Sequence, residues 1–274
     1  TWTAVRENAE LLRRVSPERV RDELDRILVH PARRRGLELL VESGLMEVVI
    51  PEVLPLRGCE QPPEFHPEGD VYVHTLLAVE RLPEDASLEL VLATLLHDIA
   101  KPPTRTYDHD AARARFNGHD ALGAAMAETI LRRLRYSNHT IEAVREMVAN
   151  HMRFMNVQHM RTAKLKRFMA RPTYREEVEL HRVDCLASHG MLDNIEFLDA
   201  KEAEFAAEPL IPPPLVTGRD LIGMGLAPGP RFGEILEFVQ TEQLEGTLAD
   251  RDEALSLVRE KYLSPPSAGP PSQA

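Results

Sequence analysis

The chain has 274 residues, 33 basic and 44 acidic side chains and a formal charge of −11, with 43% hydrophobic and 28% charged residues, the mixture of a folded globular chain. Its longest uncharged apolar run, 90–96, falls far short of the ~20 residues of a membrane-spanning helix, so no membrane partner is expected. Two cysteines, Cys59 and Cys185, with no CxxC pair exclude a disulfide framework and a zinc ribbon.

From the N-terminus, Ser16 and Pro17 form an N-cap with proline at the first helical position, and Val20, Leu24, Ile27 and Leu28 follow at helical spacing. Leu37, Leu40, Leu45, Val48 and Val49 extend the pattern over 35–49, broken at Gly44. Pro51, Pro55, Pro62, Pro63 and Pro67 then mark a loop and a first domain boundary. Helices are predicted over 71–82, 87–101, 119–135, 139–152, 162–170 and 174–189, and a polar one over 191–207. Pro209 and Pro212–Pro214 mark a second linker, followed by short helices near 217–224, 231–240 and 251–262. The tail from Ser264 is low in complexity and expected to be disordered. Period-2 alternation never survives more than four residues, so the fold class is all-α.

No basic-then-apolar leader opens the sequence, and a cytoplasmic location is expected. The first residue, Thr1, is not Met, which fits a trimmed protein or a fragment. Charge is uneven: residues 191–274 carry 15 acids against 6 bases, whereas 66–190 carry 17 of each. Within that balanced middle, Arg153, Arg161, Lys164, Lys166, Arg167, Arg171 and Arg175 form a stretch with no acid. Such a stretch suits phosphate neutralisation, with a solvated helix face as the plain alternative.

His97 and Asp98 are adjacent at the end of LELVLATLLHDIAK, and neighbouring residues on a helix point about 100° apart, so other helices must complete any metal site. His74, His119, His151 and Asp184 supply one such side chain each on successive predicted helices. Imidazoles and carboxylates converging in this way make a mixed N/O site for magnesium or a divalent transition metal. One metal there acidifies water and neutralises phosphoryl oxygens, and two do both at once. Lys101, expected one turn beyond His97 on the same helix, either reaches a substrate phosphate or complements the helix dipole at the surface. His181 is expected to pack behind Asp184, whereas His30, His66, His109, His139, His159 and His189 follow no pattern and are expected at the surface.

The set His74, His97–Asp98 and Asp184 resembles the H…HD…D signature of HD-domain metal-dependent phosphohydrolases, and His119 and His151 fall where two-metal members carry further histidines. More specifically, EGDVYVHTLL, LLHDIAKPPTR, RFNGHD, LRRLRYSN and NHMRF resemble the HD domain of the bacterial tRNA nucleotidyltransferase/poly(A) polymerase family. VSPERVRDELDRIL resembles that family's RNA-binding neck, and TGRDLIGMGLAPGPRFGEIL its C-terminal segment. The resemblance implies a neck-like RNA-binding segment over 1–65, an HD domain over 66–207, a C-terminal helical unit over 208–263 and the tail 264–274. It also implies one or two divalent ions (Mg, Mn, Ni or Fe) held by His74, His97, Asp98, Asp184, His119 and His151.

The implied activity is hydrolysis of a phosphate ester on a nucleotide or RNA 3′ end, with His97, Asp98 and Lys101 as its catalytic residues. The implied partner is RNA, in particular the tRNA acceptor end, contacted by Arg153, Lys164, Lys166 and Arg167 and by the cluster Arg33, Arg34 and Arg35. The alternative is an RNA-binding body of a CCA-adding or poly(A)-adding enzyme with no hydrolase activity of its own. Nucleotidyl transfer in this family needs a Gly-Ser turn and a D-x-D pair. This chain has no Gly-Ser, and its D-x-D pairs, Asp108–Asp110 and Asp250–Asp252, follow no predicted strand, so a chain without the catalytic head is expected.

Overall fold

The computed structural model describes residues 2–263, and the expected disorder of 264–274 lies outside the described residues. The described chain is helical, as the sequence indicates, except for one antiparallel pair, β1 (Thr106–Asp108) and β2 (Arg113–Arg115), in the register Thr106 opposite Arg115. This hairpin corrects one reading: Asp108 of the first D-x-D pair does close a strand. It accepts hydrogen bonds from the backbone of Asp110 and Ala111, so the pair shapes a turn.

Two compact units divide the chain. The first holds residues 2–156 and 172–198, and the second 157–171 and 199–263. In chain order the first contains α1 (Trp2–Glu7), α2 (Pro17–Leu28), α3 (Arg33–Glu42), α4 (Met46–Val49), α5 (Val71–Arg81), α6 (Leu88–Leu96), α7 (Lys101–Thr104), α8 (His119–Arg133) and α9 (Asn138–Asn150). After α10 (Thr162–Met169), which belongs to the second unit, α11 (Tyr174–Ala187) and the start of α12 (Asp193–Phe205) return to the first. The second unit is completed by α13 (Gly218–Gly223), α14 (Pro230–Glu245) and α15 (Arg251–Val258).

Residues on both sides of the expected boundary near 65 fall in the first unit. Leu24, Leu28, Leu37 and Leu40 join Val71, Val79, Leu92 and Leu96 in one buried core. Proline-rich chain between them makes a loop, but apolar faces on both sides bury each other, and burial outweighs punctuation. Residues 157–171 and 199–207 cluster with the C-terminal helices in the second unit. That unit has its own core around Val216, Leu221, Ile235, Val239, Ala254 and Val258.

The first unit is built round α6. Ser87 caps it by accepting a hydrogen bond from the Leu90 amide, and Leu90 through Leu96 are all buried, so the helix is apolar on every side and lies inside the bundle. Each large aliphatic side chain there contributes roughly 1.5–3 kcal/mol of burial. Truncating Leu92 to Ala leaves a cavity costing about 2–5 kcal/mol. Helices α5, α9 and α11 pack on α6, α11 also packs on α5 and α9, and α8 runs along α9. Gly123 permits that approach, because a Cβ there would stand 3.3 Å from Val148 and 3.6 Å from the His97 carbonyl.

The helix predicted over 87–101 stops at Leu96. Pro102 and Pro103 follow closely and carry no N–H for the carbonyls of Asp98 and Ile99, so the hydrogen-bond ladder of α6 cannot run on through them. Residues 97–100 therefore form a turn, tied by the Ile99 amide to the Leu96 carbonyl and by the Lys101 amide to that of Asp98. This turn carries His97 and Asp98.

Candidate metal centre

Five elements of the first unit deliver one site each to the same place: His74 from α5, His97–Asp98 from the turn after α6, His119 at the start of α8, His151 at the end of α9 and Asp184 on α11. His74, His97, Asp98, His119 and His151 are buried, and Asp184 opens to a cleft with its side chain 24% exposed. Among the described residues, two of the three groups whose ligand-type atoms lie within 4.8 Å of one another are built from these side chains: His74, His97 and Asp184, and Asp98, His119 and His151. They adjoin, since Asp98 Oδ2 lies 3.2 Å from His97 Nε2 and Asp98 Oδ1 lies 3.5 Å from His119 Nε2.

The imidazoles are oriented by what their Nδ1 atoms meet. His97 Nδ1 is 2.8 Å from the Thr94 carbonyl, His119 Nδ1 2.7 Å from that of Phe116, and His151 Nδ1 2.6 Å from that of Val148. A carbonyl only accepts, so each Nδ1 carries the proton and each Nε2 turns a lone pair inward. His74 Nδ1 instead meets the Glu68 carboxylate at 2.6 Å, with its Nε2 3.0 Å from Asp184 Oδ1. His74 Nε2 and His97 Nε2 are buried without an aligned hydrogen-bond partner. Ring nitrogens buried against carboxylates are satisfied by a proton or by a divalent cation in its place, so the mixed N/O donor set fits one.

Charge in the centre follows the same geometry. Burial works against ionising Asp98, but the neighbouring His97 and Lys101 outweigh it and hold its carboxyl well below the usual range. Asp184 is likewise held low, its contact with His74 overcoming burial. Burial opposes protonation of His74 too, yet Asp184 and Glu68 raise it to about 9. His151, with no carboxylate so close, is pushed by burial and the adjacent His97 down to about 4.

Lys101 is neither on α6 nor at the surface. It opens α7, is 6% exposed, and its Nζ sits 2.7 Å from Asp98 Oδ2 while donating to Gln61 Oε1 at 2.5 Å. Two residues escaped the sequence reading. Glu68 lies buried against His74, and His66, expected at the surface, bonds Glu68 at 2.9 Å and stands edge-on to the His74 ring at 5.0 Å. Burial opposes the Glu68 charge, but the hydrogen bonds from His66 and His74 take its carboxyl down to about 2. Positive φ at Gly69 folds this segment back under α5. His181 stacks on Phe154 and touches Cys185, in keeping with packing behind Asp184.

The expected RNA-contacting residues divide between the two units. Arg33 is only 2% exposed and donates to the carbonyls of His30, Pro83 and Glu84, so it is corrected from surface contact to internal tie. Arg34 pairs with Glu38 and Glu80, and Arg35 with Glu38 and Glu42. Arg153 is exposed in the first unit, whereas Lys164, Lys166 and Arg167 lie on α10 in the second. There Lys164 is exposed, Lys166 stands 5.0 Å over the Phe205 ring, and Arg167 donates to Thr241 Oγ1. No described helix is long and apolar enough to cross a membrane.

Comparison with known proteins places this geometry. Residues 1–56 match the family described as a probable RNA and SrmB-binding site of polymerase A, and residues 70–188 match the HD domain, which binds divalent metal. The A-adding tRNA nucleotidyltransferase of Deinococcus radiodurans is 33% identical over 88% of this chain and 58% of its own length. The CC-adding tRNA nucleotidyltransferase of Thermus thermophilus is 35% identical over 86% and 55%. The multifunctional CCA protein of Halorhodospira halophila is 42% identical over 43% and 28%. The chain thus spans little more than half the length of the first two.

Proposed function

Because the chain carries the RNA-binding and HD domains of the tRNA nucleotidyltransferase/poly(A) polymerase family, we propose that its HD domain is a metal-dependent phosphohydrolase. Its substrate is a phosphate ester of a nucleotide or of an RNA 3′ end. The observation that carries this is the convergence of inward-facing Nε2 atoms on the buried Asp98 and the half-buried Asp184 beside an open cleft.

His74, His97 and Asp184 would hold one divalent ion, and Asp98, His119 and His151 a second, drawn from magnesium, manganese, nickel or iron. Such ions supply Lewis-acid polarisation of phosphoryl oxygens and favour ionisation of water. The protein's own groups do the rest. Carbonyls of Thr94, Phe116 and Val148 fix three rings so that no reorientation is needed on binding. Lys101 lines the cleft and brings a point charge to a phosphoryl oxygen, held meanwhile by Asp98 and Gln61. Helices α5, α6 and α9 close the floor and keep bulk water behind the rings away.

Residues 1–56 support a second function, in which the chain grips the tRNA acceptor end as the body of a nucleotidyltransferase and hydrolyses nothing. One assay separates the two. The purified chain, loaded in turn with each of the four metals, is offered a 2′,3′-cyclic nucleotide, a nucleoside monophosphate and a 3′-phosphorylated RNA. Hydrolysis that chelator stops and that His97→Ala lacks supports the phosphohydrolase. Absence of turnover with every metal and substrate leaves only the RNA-binding body.

A further inference from the structure

The cleft above the metal centre has a volume of about 420 Å³, and its walls differ from its floor. The floor is Asp98, His119, His151 and Asp184, whereas the walls include Phe65, Phe116 and the hairpin residue Arg113. Phe65 is 47% exposed although it is a large apolar ring, and the Arg113 guanidinium lies over it, 5.3 Å from the ring centroid. Arg113 has only a distant ion pair, 3.9 Å to the exposed Glu64. A guanidinium and an aromatic ring in contact, both partly exposed at a cleft wall, are groups on which a nucleobase stacks.

Both walls are tied to the metal residues through their chain neighbours. Phe65 precedes His66, whose ring contacts His74. Phe116 directly follows β2, and its carbonyl fixes His119. A base held at the mouth would therefore stand at a set distance from the metal floor, where its phosphate belongs.

We propose that Phe65 and Arg113 form a base-stacking platform, so that the cleft takes a nucleotide, with its base on the platform and its phosphate on the floor, in preference to a base-free phosphate ester. This rests on the phosphohydrolase function for the identity of the floor, but the platform itself is tested by binding. The ligand is a free nucleotide or the terminal nucleotide of an RNA, which present the same base and phosphate.

The test measures equilibrium binding of AMP, ribose 5-phosphate and a 3′-phosphorylated trinucleotide to the full chain with manganese, for wild type, Phe65→Ala, Phe65→Tyr and Arg113→Gln. Phe65→Ala should weaken AMP or the trinucleotide about tenfold, Phe65→Tyr should restore it, and Arg113→Gln should weaken it less. Ribose 5-phosphate and metal content should stay unchanged. Tighter wild-type binding of AMP marks a free nucleotide as the ligand, and tighter binding of the trinucleotide an RNA end. Equal weakening of ribose 5-phosphate by Phe65→Ala, or no change in any ligand, overturns the platform. Binding that follows this pattern without turnover would contradict the hydrolase and leave the platform standing.

Discussion

The Nε2 atoms of His119 and His151 lie 3.1 Å apart, and each ring already donates its Nδ1 proton to a backbone carbonyl. Two acceptor lone pairs facing each other inside a protein repel unless a proton or a cation stands with them, and Asp98 Oδ1 at 3.5 Å from His119 adds negative charge to the same spot. The two residues are 32 apart in sequence, one at the start of α8 and the other at the end of α9, so the packing of these two helices brings them together.

Glu68 should matter to metal affinity although it touches no proposed ion. It holds His74 Nδ1 at 2.6 Å, and loss of such a partner typically costs 10- to 100-fold, so Glu68→Ala should weaken manganese binding by about that factor. Glu68→Gln, which keeps an acceptor but not the charge, should fall between. Competition against a fluorescent chelator reads the constants, and an unchanged affinity for Glu68→Ala would remove the residue from the site.

Much of this was legible beforehand. Helix order, the all-α class and the six side chains that meet were visible because a ligand-type residue stands on or at the end of each of α5, α6, α8, α9 and α11 in an apolar helical context. Glu68 and His66 were not, because they sit in a polar loop whose return under α5 depends on Gly69 rather than on any periodicity. Arg33 misled for the opposite reason: three arginines in a row read as a surface cluster, while backbone carbonyls from 50 residues away make the first of them internal. The hairpin escaped because three-residue strands are too short to show alternation.

Asp25 gives a pH prediction away from the metal. Burial raises its carboxyl above the ordinary value even though it accepts a hydrogen bond from the Tyr136 hydroxyl. A carboxyl raised on folding contributes stability that is complete below its unfolded pKa and is lost as pH rises through the folded one. At neutral pH the charge is thus a net cost, so Asp25→Asn, which keeps an acceptor, should melt higher than wild type at pH 7. The gap should close as pH falls toward the carboxylate range. Tyr136→Phe should instead lower stability at pH 7 by about 1–3 kcal/mol, since it leaves the carboxylate without its donor. Thermal melts at pH 7 and pH 4 decide it, and a lower melting point for Asp25→Asn at pH 7 would refute the sign.

RNA binding should persist despite the net charge of −11 and fall steeply with salt, as phosphate neutralisation requires. Lys164 is the most exposed of the three α10 cations, so Lys164→Glu should account for most of the loss seen when Lys164, Lys166 and Arg167 are all changed to Glu. Filter binding of tRNA at two salt concentrations checks this. Equal affinities for wild type and triple variant would make α10 a solvated face.

This 274-residue chain should not extend a tRNA 3′ end with CTP and ATP. Asp108 is engaged by its own turn and by Arg115, and Asp250 caps α15 through the amides of Asp252 and Glu253, so neither D-x-D pair is free to hold nucleotide-bound metal. Radiolabelled ATP incorporated by the chain alone would contradict this.

The most direct test of the centre is its metal content. The purified chain is reconstituted separately with manganese, nickel, iron and magnesium, freed of loose ions and measured by elemental analysis. Wild type should retain one or two ions per chain with at least one of these metals, and His97→Ala and Asp98→Ala, each folded by circular dichroism, should lose most of it. Retention of no ion by the wild type under all four conditions, or full retention by both variants, would contradict the site.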